Sequence, residues 1–405
     1  MKFYERLQAK KRVTTALWPD YRLDYAFCIY YNTPVFMSTI TQYANQYVLD
    51  LVAYQPGKPI EETARELGLN ASDIVKLASN ENSLGPSPKA VQAMQQAAMG
   101  AHIYPDGASF ALRSKLAGIF GVAFNQTVVG SGSSEIIELL CHACLHEGIE
   151  LMAAKHSFSM YPIMCKLFGA KYVEVENKAD WSHDLMAMLK AITPQTRLIF
   201  ITNPTNPVGT MVFQEEMDAF MAQVPEHVIV AFDEAYIDFA EQKPDTLKYV
   251  KQGKNVILLR TFSKAYGLAG LRAGYGITTP EIADLLNKAR TPFNMNLMAQ
   301  AATVAALDDK DHLEASVRMV AEGKKQFYSA FEQWGIEYIP SHGNFILVKT
   351  GRGRDVFNAC LAKGVILRHM DGYGLPEYIR ITVGNERENA RCLEVLRVVL
   401  GKYFI

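Results

Sequence analysis

Between residues 128 and 278 the chain alternates short apolar runs, often β-branched, with stretches whose apolar positions recur at helical spacing. Continuous apolar runs that alternate with helices are typical of a mostly parallel sheet covered by helices on both faces. The pattern therefore predicts an α/β fold in this region. The predicted strands are 197–202, 228–232, 256–260 and 273–277, and the predicted helices are 135–145 and 213–223.

The C-terminal part of the chain has a different pattern, with a long polar helix predicted over 315–332 and strands predicted near 345–348 and 379–383. This mixture favours a second, smaller α+β domain. No periodic apolar face develops before Met37, so a poorly ordered extension is expected there. The predicted divisions are 1–36 as that extension, 37–79 as an N-terminal arm with part of the small domain, 80–308 as the large domain and 309–405 as the small C-terminal domain.

Polar or charged side chains follow three of the predicted strands at the points where those strands end. They are Asn206, Asp233 and Lys264, in the order of the strands along the chain. In an open parallel sheet, ligands bind beyond the carboxyl ends of the strands. One such residue could simply cap the following helix, but three successive strands with this feature indicate a binding site along one edge of the sheet.

Composition narrows the class of protein. The 41 lysines and arginines nearly balance the 42 aspartates and glutamates, so the net charge is −1 and no broad basic surface for nucleic acid is expected. No apolar run reaches the ~18–20 residues that a membrane span requires. Six cysteines in 405 residues are too few for a disulfide framework and fit a reducing compartment. We therefore expect a globular cytoplasmic protein without a nucleic-acid or membrane partner.

A lysine, a carboxylate and a phosphate-binding loop together indicate a particular chemistry. A lysine amine forms a Schiff base with an aldehyde, and a pyridine cofactor needs a carboxylate at its ring nitrogen to act as an electron sink. Residues 130–135 (GSGSSE) form a glycine-rich loop that opens a helix, and Thr261, Ser263 and Arg272 add two hydroxyls and a guanidinium near Lys264. These groups indicate a pyridoxal 5′-phosphate site.

Two other kinds of site fit the sequence less well. The loop lacks the Gly-Lys-Ser/Thr ending of a P-loop and a complete G-x-G-x-x-G followed by an acidic residue after the next strand. Cys141 and Cys144 form a C-x-x-C beside His142 and His146, but there is no second cysteine pair and the spacing lies in a predicted apolar helix. Core cysteines are therefore expected, and no metal site is predicted.

Several strings resemble motifs of the fold-type I pyridoxal-phosphate-dependent aminotransferases. The general motifs are 263–272 (SKAYGLAGLR), 233–236 (DEAY) and 206–209 (NPVG). The strings that resemble the class II members acting on histidinol phosphate are 80–86 (NENSLGP), 104–107 (YPDG) and 380–384 (RITVG). Ser83 and Val208 depart from the residues that the family often shows, and neither change removes a reacting group. The resemblance covers about residues 50–400 and implies a mostly parallel, cofactor-binding large domain with a smaller α+β domain.

The resemblance implies a role for each matching residue. Lys264 is expected to carry the cofactor as an imine, Asp233 to pair with its ring nitrogen, and Tyr236 to complete the catalytic set. The residues expected to contact the cofactor are Lys264, Asp233, Tyr236, Asn206, Phe158, Ser133, Ser134, Thr261, Ser263, Arg272 and Tyr104. The residues expected to contact the substrate are Arg380, Arg368, Tyr54 and Asn82.

The implied reaction transfers the amino group of L-histidinol phosphate to 2-oxoglutarate, giving imidazole-acetol phosphate and L-glutamate in L-histidine biosynthesis. An aromatic amino-acid aminotransferase, or a decarboxylase of an amino-acid phosphate, would share nearly all of these residues. A catalytically silent binding protein is the alternative of another class. Because Tyr104 is expected to reach the cofactor of the neighbouring subunit, the resemblance also implies a homodimer with shared active sites.

Overall fold

The computed structural model describes residues 39–51 and 57–401. The extension predicted at 1–36 and the predicted substrate contact Tyr54 lie outside the described residues. The chain divides into two units, Met1–Leu49 and Asp50–Ile405. In the first unit, the described residues form a 3₁₀ turn at Thr39–Tyr43 and a short helix. No helix over the described residues combines the length and the apolar composition that a membrane span needs.

The helices and strands of the described residues are numbered along the chain. The helices are α1 Gln46–Leu49, α2 Ile60–Leu67, α3 Pro88–Ala98, α4 Phe110–Phe120, α5 Ser133–Cys144, α6 Met160–Leu167, α7 Leu185–Lys190, α8 Gln214–Met221, α9 Leu247–Lys251, α10 Pro280–Ala289, α11 Leu297–Ala306, α12 Lys310–Trp334, α13 Gly353–Leu361 and α14 Glu386–Leu400. The strands are β1 Val75–Lys76, β2 Thr127–Gly130, β3 Glu150–Ala154, β4 Lys171–Val175, β5 Thr196–Thr202, β6 Ile229–Asp233, β7 Val256–Thr261, β8 Gly274–Thr278, β9 Tyr338–Ile339, β10 Phe345–Lys349, β11 Val365–Ile366, β12 Arg368–His369 and β13 Tyr378–Thr382.

A large sheet has the strand order β2-β8-β7-β6-β5-β3-β4 over the described residues. Strands β7, β6, β5, β3 and β4 run parallel, and β8 runs antiparallel to both β7 and β2. Two separate clusters of buried side chains contain alternate residues of the same strands, for example Phe232 in one and Ala231 in the other. Because alternate residues of a strand point to opposite faces, both faces of the sheet are covered.

The strand and helix predictions for this region are confirmed, with ends that move by at most two residues. Strands β3 and β4 were not predicted. Strand β4, at the edge of the sheet, has the mixed sequence KYVEV, and it lacks the continuous apolar run that marks the central strands. The antiparallel direction of β8 was not predicted either, because apolar content does not encode the direction of a strand.

The C-terminal part contains an antiparallel sheet of order β12-β13-β10-β9, against which α12, α13 and α14 contribute buried apolar side chains. Its predicted α+β character is confirmed. Strand β1 pairs in parallel with β11, so residues just before position 80 join this C-terminal part. The division into domains at 79/80 and 308/309 stays a prediction.

Candidate active site

A cavity of about 420 Å³ opens beyond the carboxyl ends of β5, β6 and β7. These three strands are neighbours in the large sheet, so the residues that follow them lie together. The predicted site residues that line this cavity are Ser133, Ser134, Phe158, Asn206, Asp233, Tyr236, Thr261, Ser263, Lys264, Arg272, Arg368 and Arg380. The volume falls in the range of ~300–1,000 Å³ that is usual for small-molecule sites.

Lys264 directs its amine into the cavity. Its Nζ donates to the carbonyl oxygen of Ser79 at 3.2 Å and lies 5.7 Å from the ring centroid of Tyr236. Loss of solvation, together with the charge of Arg380, lowers the pKa of Lys264 to about 8, against a smaller opposing effect of Glu81. The amine is therefore much more often unprotonated at neutral pH than an exposed lysine.

Asp233 is the last residue of β6, and its carboxylate is buried at the floor of the cavity. Its Oδ2 accepts a hydrogen bond from the Tyr161 hydroxyl at 2.7 Å, and its Oδ1 accepts from the Ala235 amide at 3.2 Å. Burial raises the pKa of Asp233 to about 6, although both donors favour the ionised form. The carboxylate is thus held in one orientation and is largely ionised at pH 7.

Tyr236 and Asn206 are fixed by side chains from distant parts of the chain. The Tyr236 hydroxyl accepts from Asn80 Nδ2 at 3.0 Å, and burial raises the pKa of Tyr236 to about 12. The Oδ1 of Asn206 accepts from Arg380 Nη1 at 2.5 Å. This contact orients the Asn206 amide, so its NH₂ group remains available as a donor.

The N-terminus of α5 and the loop after β7 form the polar end of the cavity. Helix α5 begins at Ser133, directly after Gly132, which has a φ of +82°. A Cβ at Gly132 would lie 2.7 Å from Nη2 of Arg272, so only glycine leaves room for this guanidinium. Arg272 Nη1 donates to Ser263 Oγ at 3.4 Å. A helix N-terminus beside hydroxyls and an arginine is suited to binding a phosphate group.

Two arginines lie side by side at the opposite end of the cavity. Arg368 in β12 and Arg380 in β13 are directly paired residues of adjacent antiparallel strands, so their side chains share one face of the sheet. Arg380 is buried; Nη2 donates to the carbonyl oxygen of Ala78 at 3.0 Å, and its buried Nε has no hydrogen-bond partner. Two guanidinium groups on one face of the sheet make this end of the cavity positively charged, and their planar donors suit a carboxylate or a phosphate.

Two predicted contacts lie elsewhere in this structure. Asn82 does not line the cavity, because its amide donates to Ala265 O at 2.9 Å and to Ser316 Oγ at 2.8 Å. Tyr104 is 79% exposed and stacks on Phe293 at a centroid distance of 4.7 Å, away from the cavity lining of its own chain. The expected role of Tyr104 concerns a second subunit and stays a prediction.

The sequence reasoning missed several residues at the site. Asn80, Glu81 and Tyr373 line the cavity, and Tyr161 contacts Asp233 from beneath it. Asn80 and Glu81 belong to the NENSLGP string. The string therefore indicated the correct segment, but the residue predicted from it was Asn82. No sequence signal pairs Tyr161 with Asp233.

The parallel sheet, the lysine and carboxylate at its strand ends and the arginine pair of the smaller sheet together define the class of fold-type I pyridoxal-phosphate-dependent transferases. The sequence model described as "Aminotransferase class I and II" matches residues 72–396. The chain belongs to this family, so the predicted family and fold class are confirmed.

The relatives with similar sequences have a shared name. Histidinol-phosphate aminotransferase of Akkermansia muciniphila is 64% identical over 362 residues, which cover 89% of this chain and 100% of that protein. The enzyme of the same name from Moorella thermoacetica is 47% identical and covers 87% of this chain and 92% of its own length. Among solved structures, histidinol-phosphate aminotransferase from Sinorhizobium meliloti in complex with pyridoxal-5′-phosphate superposes with a TM-score of 0.81 at 26% identity, covering 89% of this chain and 98% of that chain.

Proposed function

We propose that the chain is a pyridoxal-phosphate-dependent aminotransferase that transfers the amino group of L-histidinol phosphate to 2-oxoglutarate. The products are imidazole-acetol phosphate and L-glutamate, and the reaction is a step of L-histidine biosynthesis. The observation that carries this proposal is the 64% identity to the Akkermansia enzyme over that enzyme's whole length. The presence of Lys264, Asp233 and Arg380 in one cavity supports it independently of the relatives.

The chemistry of the donors fits pyridoxal phosphate. When bound, this cofactor supplies an aldehyde that condenses with amines and a ring that withdraws electrons from the substrate. Lys264 would hold the aldehyde carbon, Asp233 the ring nitrogen, and Tyr236 with the Asn206 NH₂ group the ring hydroxyl. Phe158 would cover one face of the ring. The residues that would hold the phosphate are Ser133, Ser134, Thr261, Ser263 and Arg272.

The amine of Lys264 is suited to moving a proton at the substrate carbon. Since its pKa is lowered to about 8, a sizeable fraction of Nζ is unprotonated at physiological pH and can accept the proton, then return it. Asp233, which is largely ionised at pH 7, would accept a hydrogen bond from the protonated ring nitrogen of the bound cofactor.

Arg380 and Arg368 would bind the anionic ends of both substrates. A guanidinium fork accepts a phosphate and a carboxylate with similar geometry, so one pocket can serve histidinol phosphate and 2-oxoglutarate in alternate half-reactions. The unpartnered Nε of Arg380 is one donor that such an anion would satisfy.

A homodimer with shared active sites is part of this proposal. The segment 99–110 exposes large apolar side chains, with Met99 83%, Ile103 64% and Phe110 63% accessible beside Tyr104. Several large exposed apolar side chains in one segment favour a protein–protein interface there. A second copy of the chain would cover this surface and bring Tyr104 to the neighbouring site. We also propose a cytoplasmic location, which the free thiols of the described cysteines suit.

The decisive experiment compares substrates with purified enzyme. With L-histidinol phosphate and 2-oxoglutarate we expect glutamate to form, and Lys264→Ala should reduce the rate on the order of 10³-fold or more. Phenylalanine and tyrosine are offered as competing donors, and release of CO₂ from an amino-acid phosphate is measured in parallel. Faster turnover of an aromatic amino acid, or CO₂ release without glutamate, would favour one of the alternative activities.

A further inference from the structure

We propose that Tyr161 is a positioning residue that orients the Asp233 carboxylate and lowers its affinity for protons, through a hydrogen-bond chain that begins at Thr202. The inference rests on the proposed function, because Asp233 matters only if it meets the cofactor ring. Neither the family motifs of this chain nor its strand pattern points to Tyr161.

The chain of hydrogen bonds has one consistent direction. The Tyr161 hydroxyl lies 2.7 Å from Asp233 Oδ2 and 2.8 Å from Thr202 Oγ1. An ionised carboxylate has no proton to give, so the single hydroxyl proton of Tyr161 is donated to Asp233. The oxygen of Tyr161 is then free to accept from Thr202. Each hydroxyl in the chain therefore points its hydrogen toward Asp233.

Packing fixes the Tyr161 ring more tightly than the hydrogen bonds alone would. The side chain has 0% exposure, and its ring stacks on Phe200 with centroids 4.2 Å apart and planes inclined by 8°. Phe158, which lines the cavity, meets it edge to face at 5.7 Å. Phe158 lies two residues before α6, and Tyr161 is the second residue of that helix, so one helix end supports both the wall of the cavity and the carboxylate at its floor.

Among the groups around Asp233, the Tyr161 hydroxyl makes the largest contribution that lowers the pKa of this carboxylate. Burial raises the pKa of Asp233, and the charge of neighbouring Glu234 raises it further. Lys264 lowers this pKa by a smaller amount than the hydrogen bonds from Tyr161 and from the Ala235 amide do. The phenol itself stays protonated, because burial and Asp233 raise the pKa of Tyr161 well above its usual value. Loss of this donor should therefore raise the pKa of Asp233.

The test measures cofactor affinity as a function of pH. Full-length enzyme freed of cofactor is titrated with pyridoxal phosphate between pH 5 and 8, with protein fluorescence as the signal, for the wild type and Tyr161→Phe. Wild-type affinity should fall as the pH drops through about 6, where Asp233 takes up a proton. In Tyr161→Phe the midpoint should lie about one pH unit higher, a roughly tenfold change in proton affinity. Ionisation of the ligand affects both proteins equally and cancels in the comparison.

Tyr249→Phe is a matched control. Tyr249 is also buried, stacks on Phe232 and donates to a carboxylate at 2.7 Å, but that carboxylate, Asp218, does not line the cavity, whereas Asp233 does. Its midpoint should coincide with that of the wild type. Affinity for inorganic phosphate should be unchanged in Tyr161→Phe, because the phosphate end of the cavity is formed by other residues.

The outcomes separate this inference from the proposed function. If Tyr161→Phe folds and its midpoint equals that of the control, the inference is wrong. If the wild type binds no pyridoxal phosphate at any pH, the proposed function is wrong instead. Should Tyr161→Phe fail to fold, Thr202→Val decides, because it removes the donor behind Tyr161. A smaller upward shift would then support the inference, and an unmoved midpoint would overturn it.

Discussion

Lys264 and Asp233 share one cavity, and loss of solvation moves their pKa values toward each other, to about 8 and about 6. Arg380 is the largest charged contribution to the lysine, and it disfavours the ammonium form. We predict that the rate of reaction between Lys264 and added pyridoxal phosphate rises with pH to half its plateau near pH 8. In Arg380→Gln the half-point should move upward, because removal of a nearby positive charge stabilises the ammonium.

Stopped-flow absorbance of the enzyme freed of cofactor checks this prediction. Arg197→Gln is the control, since Arg197 lies near the amino end of β5, whereas the cavity opens beyond the carboxyl end of that strand. Lys264→Ala should show no specific phase. A half-point that stays fixed or falls in Arg380→Gln would contradict the electrostatic account of the amine.

Single residues also show how far the sequence could specify the site. The string from Ser263 to Arg272 places an amine, a hydroxyl and a guanidinium within ten residues, so their proximity could be predicted. The sequence could not predict whether Asn80 or Asn82 faces the cavity. Asn80 faces the cavity because its backbone amide donates to Thr382 Oγ1 and its side chain donates to Tyr236, residues 302 and 156 positions away.

At the scale of elements, segment 79–85 contacts the loop that carries Lys264 through hydrogen bonds and close backbone packing. Asn82 donates to Ala265 O, Ser79 O accepts from Lys264, and a Cβ at Gly267 would overlap the carbonyl group of Gly85. Gly267 also has a φ of +68°, which disfavours other residues. The two segments are therefore packed backbone to backbone at this point.

We predict that Gly267→Ala lowers the free energy of unfolding by at least about 2 kcal/mol and weakens binding of pyridoxal phosphate, because both the overlap and the positive φ resist a Cβ. Urea denaturation and a cofactor titration measure the two effects. Gly118→Ala in α4 is the control, since nothing lies within 4 Å of its added Cβ and alanine favours a helix by roughly 1 kcal/mol. Equal stability of the two variants would refute the close packing of the two segments.

At the scale of the whole molecule, the proposed dimer predicts that active sites are shared. Lys264→Ala and Tyr104→Ala should each be nearly inactive alone, because one lacks the reacting amine and the other lacks the contribution to its neighbour. Coexpression of the two should restore about a quarter of wild-type activity, since half of the dimers are mixed and each mixed dimer has one intact site. The activity of the coexpressed mixture checks this value, and hybrids purified through two different tags should show about half of wild-type activity, because one of their two sites is intact. A monomer by light scattering, or no recovery in the hybrids, would contradict shared sites.

The sequence by itself determined the family, the cofactor chemistry and most of the parallel sheet. These features depend on short apolar runs and on polar residues at strand ends, which are local properties of the chain. Tertiary structure decided the direction of β8, the opposed arginines Arg368 and Arg380, and the contact between Tyr161 and Asp233. Each of these features depends on contacts between segments that are distant in the sequence. The free energy of those contacts comes from many packed residues, so no single short stretch of sequence predicts them.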